Sequence, residues 1–140
     1  KNYEAEPSDV GKELQDVIRR SDHLAMVFPM WMGTMPAKTK ALIEQIFRPG
    51  FGLSTLDGEG FPKRLMKGKS ARIIMTMGMP VIAYRLYFKA HGLKNIQRNM
   101  LGFCGFDPIR TTLLGGVENM SQDAIKKRIA AVRALGAAGA

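Results

Sequence analysis

FPMWMGTMPA, from Phe28 to Ala37, packs three methionines, one tryptophan, two prolines and one glycine into ten residues. A second stretch, TMGMP from Thr76 to Pro80, has the same chemistry. Pro29, Met30, Trp31, Met32 and Gly33 in the first, and Thr76, Met77, Gly78 and Met79 in the second, include flat or polarisable side chains. Each stretch also has a glycine that lets backbone come close to a ligand and a proline that limits how far the loop can move. Walls of this kind suit a planar heteroaromatic ring, which needs apolar stacking on its faces and N–H and C=O groups along its polar edge.

Each stretch follows an element that could present it. HLAMVF, His23 to Phe28, and SARIIMTMG, Ser70 to Gly78, are nearly continuous apolar runs, as parallel strands covered on both faces read. PIRTTLLGG, from Pro108, makes a third strand. Ser8 caps a helix with Val10, Leu14, Val17 and Ile18 at helical spacing. Pro36 suits the first turn of a second helix, whose i,i+4 apolar pairs are Ala37/Ala41, Leu42/Ile46 and Ile43/Phe47. Helical material follows Pro80, interrupted near Gly92, and Ser121 caps a last helix with Ile125, Ile129, Val132 and Leu135 inside. Ser54 to Lys69, glycine-rich and charged, reads as a long surface loop with room for a hairpin. The alternation of helix and strand argues for one α/β domain over residues 1–140, a parallel sheet with crossover helices.

In such sheets ligands sit beyond the carboxyl ends of the strands, at the topological switch point. By residue type alone, Met and Trp are more often core than site; their position past a strand end favours a site. An isoalloxazine has the shape these walls would accept.

HLAMVFPMWMGTMPAKTKALIEQIFRPGFG, TMGMPVIAY and LGFCGFDPI, taken in this order, resemble the flavodoxin-like NAD(P)H:quinone oxidoreductases of the DT-diaphorase group, from about Pro7 to Leu135. The resemblance implies a flavodoxin-like doubly wound sheet in which the nine loop residues named above line the ring of FMN or FAD. It also implies that the Tyr84 hydroxyl stabilises charge on reduced flavin, and that NAD(P)H passes two electrons to a quinone or similar electrophile in a ping-pong cycle. A homodimer is implied too, with Tyr84, Leu86, Tyr87 and Phe88 as contributors to its interface. The family's Thr-Thr-Gly-Gly stands here as TMGM, its Trp-Phe-Gly as WMG, and His91 is one residue out of step with its histidine, all marks of a divergent branch. The opening strand, phosphate loop, helix and second strand of that family have no counterpart before Lys1. The expectation is therefore the later two-thirds of the fold, its N-terminal part absent, with His23 to Phe28 left as an apolar edge.

Other chemistries find less support. Lys63 to Arg110 has ten basic residues against one acid, within a net charge of +9, so an anionic partner could be drawn to that half. Arg85, Lys89, Lys94 and Arg98 form a positive helical stripe, but no nucleic-acid motif accompanies it and a solvated face is the expectation. GKS at Gly68 lacks the opening glycine of a phosphate loop, and neither histidine has companions at metal spacing. The one cysteine, Cys104, reads as a buried, inert thiol; with no secretory signal or membrane-spanning run, a cytoplasmic location is expected. The alternatives are a non-catalytic flavin-binding or interaction protein, an azoreductase and a flavin reductase.

Overall fold

The computed structural model describes residues 6–54 and 60–139. Three strands, β1 (His23–Pro29), β2 (Ser70–Met77) and β3 (Ile109–Gly115), form one parallel sheet in the order β1-β2-β3. β2 is the centre, buried along most of its length, as expected of a strand covered on both faces. The register pairs Phe28 with Met75 and Met75 with Leu113, so the three strands end side by side. Among the described residues the other edge of β1 has no strand partner.

One face of the sheet carries the core. Met26 and Phe28 of β1 lie beside Ile73, Met75 and Met77 of β2. Helix α1 (Asp9–Arg20) brings Ile18 to this face, and α2 (Ala37–Ile46) brings Ile43 and Ile46. The two helices are joined where Gln15 Nε2 donates to the Ile46 carbonyl at 2.7 Å. Ser8 caps α1 through the Gly11 N–H, a bond of the kind worth about 1 kcal/mol. Val10 and Val17, expected on the inner stripe of α1, are exposed, leaving Leu14 and Ile18 to face the core. In α2, Leu42 likewise points outward and Pro36 takes the position before the first turn.

Between β2 and β3 the chain forms α3 (Val81–Leu86), α4 (His91–Asn95), a wider π-helical segment (Ile96–Leu101) and the short α5 (Gly102–Cys104). The break falls at Tyr87 to Ala90, earlier than Gly92, and Lys89 and Ala90 are both left-handed, with φ of 51° and 50°. Arg85, Lys89, Lys94 and Arg98 therefore do not share one helix. The expected surface loop closes on itself: Ser54 N–H donates to the Lys63 carbonyl and Leu65 N–H to that of Gly52. Its middle lies outside the described residues.

The opposite face carries α6 (Gln122–Ala137), capped by Ser121. Its apolar stripe is incompletely covered, with Ile129 exposed. Val27, Ile74, Thr76 and Leu114 of the sheet and Ile125, Ile129 and Val132 of α6 line a groove of about 630 Å³. Arg72, buried on this face, donates to Thr112 Oγ1 at 2.9 Å. No helix among the described residues is long and apolar enough to cross a membrane.

Two buried acids give the fold a pH dependence. Burial pushes the Cys104 thiol from 9.0 up to about 11. Burial also raises the Tyr84 phenol above 10.0, opposed by the N–H of Leu93. A weak acid with a raised folded value contributes stability that is complete below its unfolded value and is lost as pH climbs toward the folded one. Urea denaturation should therefore show stability starting to fall above pH 9.0, with Cys104→Ala delaying the fall until the tyrosine value is passed. An unchanged onset in the variant would contradict this.

Candidate functional site

The segment Phe28 to Ala37 is anchored at its ends and displayed in its middle. Phe28, Met35 and Pro36 are buried, whereas Trp31 is 62% exposed and Met32 fully so. Between them lies a tight turn: Trp31 N–H donates to the Thr34 carbonyl at 2.9 Å, and Thr34 N–H returns to the Trp31 carbonyl at 3.1 Å. Met32 and Gly33 at its tip have φ of 49° and 82°, the pattern of a type I′ turn. Glycine adopts that geometry freely; Met32 does so at a cost in backbone strain. Neither the Met32 nor the Gly33 N–H has an acceptor among the described residues.

Hydrogen bonds hold the three strand ends together. Met30 N–H donates to the Thr76 carbonyl at 2.7 Å, joining the first stretch to the second. Gly116 N–H donates to the Met79 carbonyl at 3.1 Å, joining the second to the end of β3. A Cβ on Gly115 would come within 2.7 Å of that same carbonyl, so the third strand end fits tightly against the second loop.

The nine loop residues named from sequence divide by exposure. Pro29, Trp31, Met32 and Gly78 are exposed; Met30, Gly33, Thr76 and Met79 are half-buried. The Met77 side chain belongs to the core, leaving its backbone as the part that could meet a ligand. Thr76 also reaches the groove beneath α6.

Tyr84 lies inside the domain, 1% exposed, and so does not face outward with Leu86, Tyr87 and Phe88. Its hydroxyl donates to the Gly33 carbonyl at 3.1 Å and accepts from the Leu93 N–H at 3.0 Å. Gly92, next to Leu93, packs against the same turn: a Cβ there would stand 2.1 Å from the Gly33 oxygen.

Sequence reasoning missed the end of β3. The Glu118 carboxylate lies over Gly78, where an added Cβ would meet Oε1 at 2.7 Å. Gly115 and Gly116 were the available signal, since a third parallel strand must end beside the other two. No group of acidic, histidine and cysteine side chains suited to a metal occurs among the described residues.

The turn and the second loop together offer what a planar ring would need. Trp31 and Met32 provide exposed apolar surface, and the two N–H groups at the turn tip provide donors beside it, while the flexible Glu118 side chain covers Gly78.

Glycines in contact with backbone and with side chains should respond differently to substitution. Gly92→Ala drives a methyl into a backbone carbonyl and is expected to cost about 1–3 kcal/mol or more. Gly78→Ala meets only the exposed, flexible Glu118 side chain and should cost much less. Urea melts of both variants check this; equal costs would contradict the packing described.

The chain is similar to known proteins along most of its length. It is 27% identical over 124 residues to an uncharacterized NAD(P)H oxidoreductase of Haemophilus influenzae, spanning 88% of this chain and 60% of that one. It is 29% identical over 125 residues to an FMN-dependent NADH:quinone oxidoreductase of Beijerinckia indica, again 88% and 60%. The chain thus spans about three-fifths of the length of these curated relatives. The solved structure of Smu.1420 from Streptococcus mutans superposes with a TM-score of 0.77 at 29% identity, covering 89% of this chain and 64% of that one. The Flavodoxin_2 family model, described as a flavodoxin-like fold, matches residues 1–135, and the chain belongs to that family.

Proposed function

We propose that the three strand ends hold the ring of a flavin, and that the chain serves an oxidoreductase that uses NAD(P)H to reduce quinones or similar electrophiles. The observation carrying this reading is the Trp31–Thr34 turn, a held backbone element that exposes a tryptophan, a methionine and two unpaired N–H donors. Exposed large apolar side chains on a constrained turn are what a stacking ligand requires. The Beijerinckia relative's name favours FMN over FAD and quinones as acceptors.

Bound flavin would supply the two-electron hydride chemistry, for which a protein provides binding and orientation. Trp31 and Met32 would cover part of the ring, and the Met32 and Gly33 N–H groups would meet its polar edge. Thr76, Met77, Gly78 and Met79 would form the second wall through backbone and through the half-buried Thr76 and Met79 side chains, with Pro29 and Met30 setting where the first wall begins. Tyr84 belongs to the same assembly through its bond to Gly33.

Beside these loops, Ile82, Leu86, Tyr87 and Phe88 are exposed, and the last two rings pack edge to face at 4.9 Å. This apolar surface fits a homodimer contact that would also narrow access to the ring. Sedimentation at micromolar concentration is expected to give a dimer that Leu86→Asp converts to monomer; a wild-type monomer would contradict the contact.

The flavin reading is tested by incubating the longest natural form of the protein with FMN or FAD, desalting, and recording the visible spectrum. Retained FMN, together with NADH or NADPH oxidation on adding a quinone, is expected. No retained flavin would overturn the reading. Retained flavin without turnover on quinone, azo or nitro acceptors would leave a binding protein and overturn the enzymatic part.

A further inference from the structure

We infer that Tyr84 is a positioning residue: with Gly92 it latches the Trp31–Thr34 turn in the geometry that presents the Met32 and Gly33 N–H groups. The latch rests on contacts within the chain; its consequence for a ligand rests on the flavin reading above.

One phenol satisfies two backbone groups from separate parts of the chain. The Leu93 N–H lies in the first turn of α4, where helical N–H groups have no partner within the helix. Ala90, in the capping position, has no side chain that could accept it, and Tyr84 Oη takes that part. The same oxygen gives its proton to the Gly33 carbonyl, 51 residues earlier in the chain. Glycine at position 92 is what lets the turn approach so closely.

The path between the two halves of the latch is bent. Lys89 and Ala90, consecutive and left-handed, turn the chain between α3 and α4, and Ala90 N–H closes on the Tyr84 carbonyl at 3.0 Å. Left-handed backbone in residues other than glycine persists only where surrounding contacts over-determine it. Met32 is held the same way on the far side of the bond. Without the hydroxyl, the Gly33 carbonyl loses its anchor and the strained Met32 conformation is free to relax. With its proton committed to Gly33, Tyr84 acts on the site through the turn it holds.

Trp31, the chain's one tryptophan, sits in this turn and reports on it without any ligand. Tyr84→Phe keeps the ring's packing and removes only the oxygen. Its Trp31 emission is expected to become more accessible to acrylamide and lower in anisotropy than wild type, at a temperature where both are folded by circular dichroism. Lys127→Gln, altered at an exposed side chain of α6, should match wild type. In the wild-type protein, hydrogen exchange should show the Leu93 amide protected despite its place in a first helical turn. FMN titrated by quenching of Trp31 should bind Tyr84→Phe more weakly, by about tenfold for one lost hydrogen bond.

Unchanged Trp31 accessibility in Tyr84→Phe would overturn the latch. So would a freely exchanging Leu93 amide in wild type, which decides the matter even if the variant does not fold. A Trp31 response in the absence of any FMN binding would uphold the latch while removing the flavin reading. Equal FMN binding with an unchanged Trp31 would do the reverse.

Discussion

The in-register ending of three parallel strands is the constraint on which the site depends. Because β2 pairs with β1 and β3 over nearly their whole lengths, the segments leaving all three emerge on one side of the sheet. Hydrogen bonds from Met30 to Thr76 and from Gly116 to Met79 then join them into one backbone surface. A surface built this way can aim N–H groups at a ligand because its geometry is set by the sheet behind it. The Tyr84 hydroxyl ties the most exposed part of that surface, the turn at Gly33, to the helices following β2.

The two faces of the sheet are filled unequally. Under α1, α2 and the segment from α3 to α5, core residues pack with little exposure. Under α6 a groove remains, and Val27 of β1 stands 68% exposed at its side. Among the described residues the outer edge of β1 has no strand partner, and the groove beneath α6 opens beside it.

The strands and the long helices were legible because their signals are local. His23–Pro29 and Ser70–Met77 are continuous apolar runs, and Ser8 and Ser121 cap the helices they precede. The break before α4 was not legible, since left-handed Lys89 and Ala90 carry no composition that announces such a conformation. Gly92 drew attention as an interruption, yet it lies within α4 and matters for its missing Cβ. The burial of Tyr84 depends on a carbonyl 51 residues away, and Glu118 reaches Gly78 only after the sheet has formed. That these loops follow the ends of β1 and β2 was legible from sequence; which atoms they expose depended on long-range contacts.

The most direct test uses a ring without its phosphate. Lumiflavin, titrated into isotopically labelled protein and followed by amide chemical shifts, asks whether the strand ends bind the planar group by themselves. Ring binding at the strand ends should give saturable shifts at Trp31, Met32, Gly33 and Met77 to Met79. Shifts confined to the groove beneath α6, or none at saturating lumiflavin, would contradict it.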